Sequence, residues 1–155
     1  MLLDALDKRI LEILVDDARI SLKDLAKQVR LSSPSVSERL RRLEERGVIR
    51  AFTIDIDPEA IGYKFQAIVR IRPLPGRFPA VEELIKEIPE FSECDKVTGE
   101  DCLVGRLNLL SIEQLDQILD RITDKAETNT AIVKSQPVRR RLPPLGSNRA
   151  GHSRR

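Results

Sequence analysis

The residues with the widest chemical reach lie in one stretch, SSPSVSERLRRLEERGVI, residues 32–49. Ser33, Ser35 and Ser37 precede Glu38, Arg39, Arg41 and Arg42. Short hydroxyl side chains allow a helix to come close to base edges and phosphates, and arginine can grip guanine or phosphate with two parallel hydrogen bonds. At about 100° per residue, Val36, Leu40 and Leu43 fall within about 60° of one another and make an apolar stripe. The seven polar residues then occupy the opposite and flanking surface, and they are the candidate DNA contacts. The same seven also fit a solvated helix face, in which serines cap and pairs such as Arg41–Glu45 stabilise the surface.

A second constellation is Thr98-Gly99-Glu100-Asp101. Its carboxylates suit an ammonium group, and backbone N–H groups at a glycine turn suit a carboxylate, so a zwitterion would find both halves of itself matched. The alternative is a hairpin turn built from ordinary turn residues. Catalytic chemistry has less material. The single histidine, His152, stands four residues from the C-terminus, and no GxSxG, P-loop or HExxH pattern occurs. Cys94 and Cys102 form no CxxC or His/Cys cluster, and they are expected to be small buried hydrophobes rather than a bridge. No catalytic residue, metal site or cofactor is assigned.

Charge is distributed unevenly around a net value of +2. Residues 1–50 hold 11 basic and 9 acidic side chains, residues 51–136 hold 10 and 16, and residues 137–155 hold 6 arginines and no acid. An acidic middle between basic ends assigns any nucleic-acid contact to the ends. No apolar run approaches the ~20 residues of a membrane helix, and MLLDALDKR lacks a signal-peptide core, so the expected location is the cytoplasm, with no membrane partner.

The elements that must position these groups follow from periodicity. Leu3, Leu6, Ile10, Ile13 and Leu14 recur at helical spacing behind Asp4 and Asp7, acids that suit a helix N-terminus. Ser21 begins a second helix with Asp24 in capping-box register, and its apolar face is Leu22, Leu25, Ala26 and Val29. After a break at Arg30-Leu31, Ser32 or Ser33 opens a third helix with Pro34 in its first turn, and Gly47 ends it. Residues 1–50 therefore read as a helix-turn-helix DNA-binding domain. Phe52, Ile54 and Ile56 alternate with polar residues, which predicts a connecting strand and linker over 51–62. Residues 63–138 alternate as strand 63–73, helix 79–89, strands 91–99 and 101–110, helix 111–122 and strand 128–138. This is the ferredoxin-like β-α-β-β-α-β order of an α+β domain, with both helices on one face of an antiparallel sheet. Residues 139–155 read as a basic, disordered tail, serving either as a nonspecific phosphate anchor or as a solubilising end.

The run from Leu3 to Gly62 resembles the opening of the leucine-responsive regulatory protein/AsnC family of feast/famine regulators, and VTGEDCLV (97–104) resembles the turn between the middle strands of that family's effector domain. The similarity extends to about Pro144. It implies a dimer joined through the C-terminal sheets, often stacked into tetramers or octamers, and an effector such as an amino acid bound at Thr98, Gly99, Glu100 and Asp101. Two features depart from the family pattern: Gly105 and Arg106 interrupt a strand expected to be continuously apolar, and Gly146–Arg155 lies beyond the matching region.

Three rival functions compete with this reading. An RNA-recognition motif needs base-stacking aromatics on its central strands, and 101–110 has none. Some relatives of this architecture resemble tetrapyrrole decarboxylases, for which histidine is expected, and His152 alone supplies no acid–base set. An architectural protein that compacts DNA with low sequence specificity would look much the same in sequence. The reading adopted is a non-enzymatic transcription regulator that binds double-stranded DNA, self-associates and responds to a small metabolite.

Overall fold

Among the described residues, side chains start four of the five α-helices. Asp4 accepts from the Asp7 backbone N–H at 2.7 Å and opens α1 (Ala5–Asp16). Ser21 accepts from Asp24 N–H and opens α2 (Leu22–Val29), and Ser32 accepts from Ser35 N–H and opens α3 (Ser33–Glu45). Ser111 does the same through Gln114 for α5 (Ile112–Thr123), whereas α4 (Phe78–Glu87) has a proline in its first turn and no side-chain cap. Each cap satisfies a helix-start N–H that has no partner within the helix. The computed structural model describes residues 3–145.

The described residues divide into two compact units, one of residues 3–54 with 138–145 and the other of residues 55–137. In the first, Ile10, Leu25, Val36 and Leu43 are almost completely buried in a core shared by α1, α2 and α3. The turn from α2 to α3 passes through Arg30 at φ 57°, and Leu31 N–H donates to Ala26 C=O at 3.0 Å. A left-handed non-glycine residue costs about 1–2 kcal/mol, a strain the satisfied helix end offsets. At the end of α3, Gly47 takes φ 66° and the chain turns away.

In the second unit, strands β1 (Phe65–Pro73), β2 (Phe91–Lys96), β3 (Leu103–Leu109) and β4 (Ala126–Ile132) form an antiparallel sheet in the order β2-β3-β1-β4. Ala67, Val69 and Ile71 of β1 and Leu103, Leu107 and Leu109 of β3 bury one face against Val81, Ile85, Ile118 and Ile122 of the two helices. Gly105 sits on that buried face. A Cβ there would stand 2.6 Å from Phe91 Cδ1, so the glycine makes room for the aromatic ring across the β2–β3 pair. The interruption noted in the sequence is thus a packing requirement of this particular sheet.

Several expectations are corrected. Residues 51–57 form no strand, and Ile54 is 77% exposed. Alternation supplied a face, but among the described residues no neighbouring strand accepts its hydrogen bonds. The last strand stops at Ile132 rather than Val138, because β1 begins at Phe65 just after the Gly62 turn and pairing ends with Val133 N–H on Gln66 C=O. Ala67, Val69 and Ile71 of β1 face the helices, and the alternate set Gln66, Ile68, Arg70 and Arg72 makes its open face. Cys94 is exposed rather than buried, and both cysteines are free. Beyond Val138, residues 139–145 have no regular secondary structure, and Leu145 packs against the core of the first unit. His152 and the rest of Gly146–Arg155 lie outside the described residues.

Candidate nucleic-acid interface and effector turn

Helix α3 carries Ser33, Ser35, Ser37, Glu38, Arg39, Arg41 and Arg42 in one short stretch, outside the stripe of Val36 and Leu43. Ser35, Ser37, Arg41 and Arg42 are exposed, while Ser33, Glu38 and Arg39 are half-buried. Glu38 is the centre of the charged group. Its carboxylate accepts from Arg41 Nη2 at 2.7 Å and Nε at 3.0 Å, and from Arg42 Nε at 2.9 Å. Arg41 also reaches Glu45. The hydrogen bonds from Arg41 first and Arg42 second hold the Glu38 carboxyl down to about 2, and the same contacts with Glu38 raise the Arg41 guanidinium. These are pairs one helical turn apart on a solvated surface, where each is worth a few tenths of a kcal/mol. They orient the arginines without immobilising them.

Arg39 behaves differently. It lies beside the apolar stripe, and its Nη1 donates to Asp4 at 2.6 Å and to Asp7 at 2.7 Å, both at the start of α1. The side chains of Arg39 and Asp7 are only 27% and 11% exposed. Asp4 is held below its usual pKa by the Asp7 backbone N–H first and by Arg39 second, and Arg39 is raised by Asp4 and then Asp7. Arg39 is therefore a brace between α1 and α3, and a shallow cleft lined by Asp4, Asp7, Arg39, Arg42, Leu43 and Arg46 marks the junction. Sequence spacing did not pair it with Asp4 and Asp7, because both acids were already accounted for by the helix terminus. A hydroxyl pair was also missed: Ser32 Oγ and Ser35 Oγ lie 2.8 Å apart at the opening of α3.

In the second unit, Thr98, Gly99, Glu100 and Asp101 follow one another in the turn between β2 and β3, closed by Val97 N–H on Cys102 C=O at 2.8 Å. Gly99 takes φ 119°, which L side chains rarely adopt. Thr98 and Glu100 are exposed and Asp101 is half-buried. The residue that sequence reading omitted is Arg72, on the open face of β1: it pairs with the Glu100 carboxylate, donates to Glu100 C=O at 3.4 Å and lies 3.6 Å from Glu127. The period-two pattern of β1 places Arg72 on the open face, but its nearness to the turn comes from the β1–β3 register. On the same face Arg106 donates to Glu93 at 3.0 Å. Two carboxylates and an arginine at one turn can meet both charges of an amino acid. Among the described residues no group of acids, histidines and cysteines could hold a metal, and no helix is long and apolar enough to cross a membrane.

The chain matches two family models, one described as winged helix-turn-helix DNA-binding over residues 3–50 and one as Lrp/AsnC ligand binding domain over residues 66–143. It is 35% identical to the HTH-type transcriptional regulator LrpA of Mycobacterium tuberculosis over 83% of this chain and 86% of that protein. It is 29% identical to the solved structure of Bacillus subtilis LrpC, with a TM-score of 0.83 over 88% of this chain and 97% of that one. The feast or famine regulatory protein of M. tuberculosis complexed with L-methionine aligns with a TM-score of 0.83 at 31% identity, covering 90% and 97% of the two chains.

Proposed function

Since this chain belongs to the Lrp/AsnC family of transcriptional regulators, we propose that it is itself a non-enzymatic cytoplasmic regulator that reads double-stranded DNA through α3 and responds to an amino acid at the β2–β3 turn. The observation that carries the reading is the exposed face of α3, where Ser35, Ser37, Arg41 and Arg42 stand clear of a helix-turn-helix core. In this reading Ser33, Ser35 and Ser37 approach phosphates and base edges, and Glu38, Arg41 and Arg42 contact bases. Glu38 serves as an acceptor suited to the cytosine amino group. Arg39 contributes by bracing α3 rather than by touching the duplex.

The complexed relative carries L-methionine. By analogy, Thr98, Gly99, Glu100, Asp101 and Arg72 receive a free amino acid here, Arg72 taking the carboxylate and the acids the ammonium. Self-association uses the open sheet face, where Arg72, Arg106, Glu93 and Glu127 offer both signs of charge to a second copy. A two-fold dimer then expects half-sites about one helical turn, ~34 Å, apart or a multiple of it.

The test is selection of bound duplexes from fragmented genomic DNA, followed by affinity measurement on the enriched sequence and on random DNA. Arg41→Ala with Arg42→Ala is expected to lose ~1–3 kcal/mol for each bidentate base contact and to relax the selected motif. No enrichment of any motif would favour an architectural protein over a sequence-reading one. Calorimetry with an amino-acid panel, starting from L-methionine, tests sensing. Asp101→Ala is expected to abolish the heat while DNA binding without effector persists, and normal binding by that variant removes the turn from the site.

A further inference from the structure

Three arginines of α3 are each paired with acids of α1 or α3. Arg39 is committed to Asp4 and Asp7, Arg41 to Glu38 and Glu45, and Arg42 to Glu38. Duplex binding draws much of its free energy from cations that replace counterions along the phosphates, and a cation already paired with a carboxylate contributes less to that exchange. Basic side chains free of such pairing therefore add to duplex binding beyond what these three arginines supply.

Such side chains are available in the same unit. Residues 138–145 belong to the compact body that contains α1, α2 and α3. Within the described part of that segment, Leu145 is half-buried against the helix-turn-helix core, and Leu142 is half-buried as well. Between this anchor and Pro137 lie Arg139, Arg140 and Arg141, all exposed, with no ion pair among the described residues and no acid anywhere from 137 to 155. Pro143 and Pro144 restrict the backbone between the arginines and Leu145, because each proline ring fixes its own φ.

We propose that Arg139, Arg140 and Arg141 form a phosphate-binding arm of the DNA-binding unit, held against it by Leu145, which touches the duplex backbone without reading its sequence. The assignment rests on the DNA-binding reading of α3. It divides labour within one unit: α3 presents groups that discriminate between bases, and the arm supplies unpaired charge. Consecutive arginines can each meet a different phosphate, and phosphate contacts position a protein on the duplex without reading its sequence.

The test uses the full chain and two variants. Arg139→Gln/Arg140→Gln/Arg141→Gln removes the charge and leaves the packing of Leu142 and Leu145 in place. Affinity for an operator and for random duplex is measured between about 50 and 200 mM salt. The plot of log affinity against log salt is expected to become shallower by about 0.9 for each phosphate that is no longer neutralised, up to about 2.7 per protomer. Operator and random DNA are expected to weaken by the same factor, leaving their ratio unchanged. The second variant, Leu145→Ala, keeps every arginine but releases the anchor, and it is expected to flatten the slope in the same direction while the circular-dichroism spectrum stays wild type. An unchanged slope in the triple variant overturns the arm, and a changed operator-to-random ratio overturns its sequence independence. A wild-type slope in Leu145→Ala overturns the anchor. Failure of the wild-type chain to bind any duplex would instead defeat the DNA-binding reading itself.

Discussion

The two units hold their arginines by different means. In the helical unit, Arg41 and Arg42 pair with acids three or four residues away on the same helix, contacts that any helix with that sequence would make. In the sheet unit, Arg72 pairs with Glu100 and Glu127, and Arg106 with Glu93, across strands that only the completed fold brings together. The proposed DNA-reading charges therefore depend chiefly on α3 being helical, whereas the proposed effector charges depend on strand register. Arg39 is the exception in the first unit, because its partners lie 35 and 32 residues away in sequence.

Breaking register should have the largest effect. Gly105→Ala forces a methyl group into the Phe91 ring, and overpacking of this kind costs about 1–3 kcal/mol. Calorimetric melting is expected to show the sheet unit losing stability while the helical unit melts as in wild type. Adding Phe91→Leu should restore part of the loss. Equal shifts in both transitions would mean that the units do not melt separately, and the contrast would collapse.

The exception should come next. Arg39→Ala leaves Asp7, whose side chain is 11% exposed, without its cation and beside Asp4. Removing one partner of a fully buried pair costs about 3–5 kcal/mol, and partial exposure here reduces the expectation to about 1–2. The helical unit should melt earlier, while duplex affinity well below the transition changes little. A large affinity loss in a stably folded Arg39→Ala protein would instead make Arg39 a direct DNA contact.

The smallest effect belongs to the local cluster. Glu38 has its carboxyl depressed from 4.5 to about 2, so its pairs contribute above the unfolded value and are lost as pH falls through about 2. NMR titration of the Glu38 side chain is expected to give a midpoint near 2 in wild type. Arg41→Gln with Arg42→Gln should return it toward 4.5, with the melting temperature nearly unchanged because ion pairs on a solvated helix face are worth little. A midpoint near 4.5 in wild type would show that the arginines leave Glu38 free in solution.

Much of this protein is set by its order of residues alone. The helix starts at Asp4, Ser21, Ser32 and Ser111, the apolar stripe of α3 and the β-α-β-β-α-β succession are local patterns, because caps and periodicities act over a few residues. The seven polar residues of α3 and the four of the β2–β3 turn could be named for the same reason: each group lies within one short stretch of chain. What tertiary structure decided are relations between distant residues. Alternation along 51–57 and β1 is local, but whether a strand forms and which of its faces is covered depends on a neighbour lying alongside; β1 has β3 and β4, and 51–57 has none among the described residues. The cramped space at Gly105, the brace at Arg39, the arrival of Arg72 beside Glu100 and the return of Leu145 to the first unit's core are likewise products of packing. None has a sequence period, since each joins segments whose separation is set by the whole path of the chain.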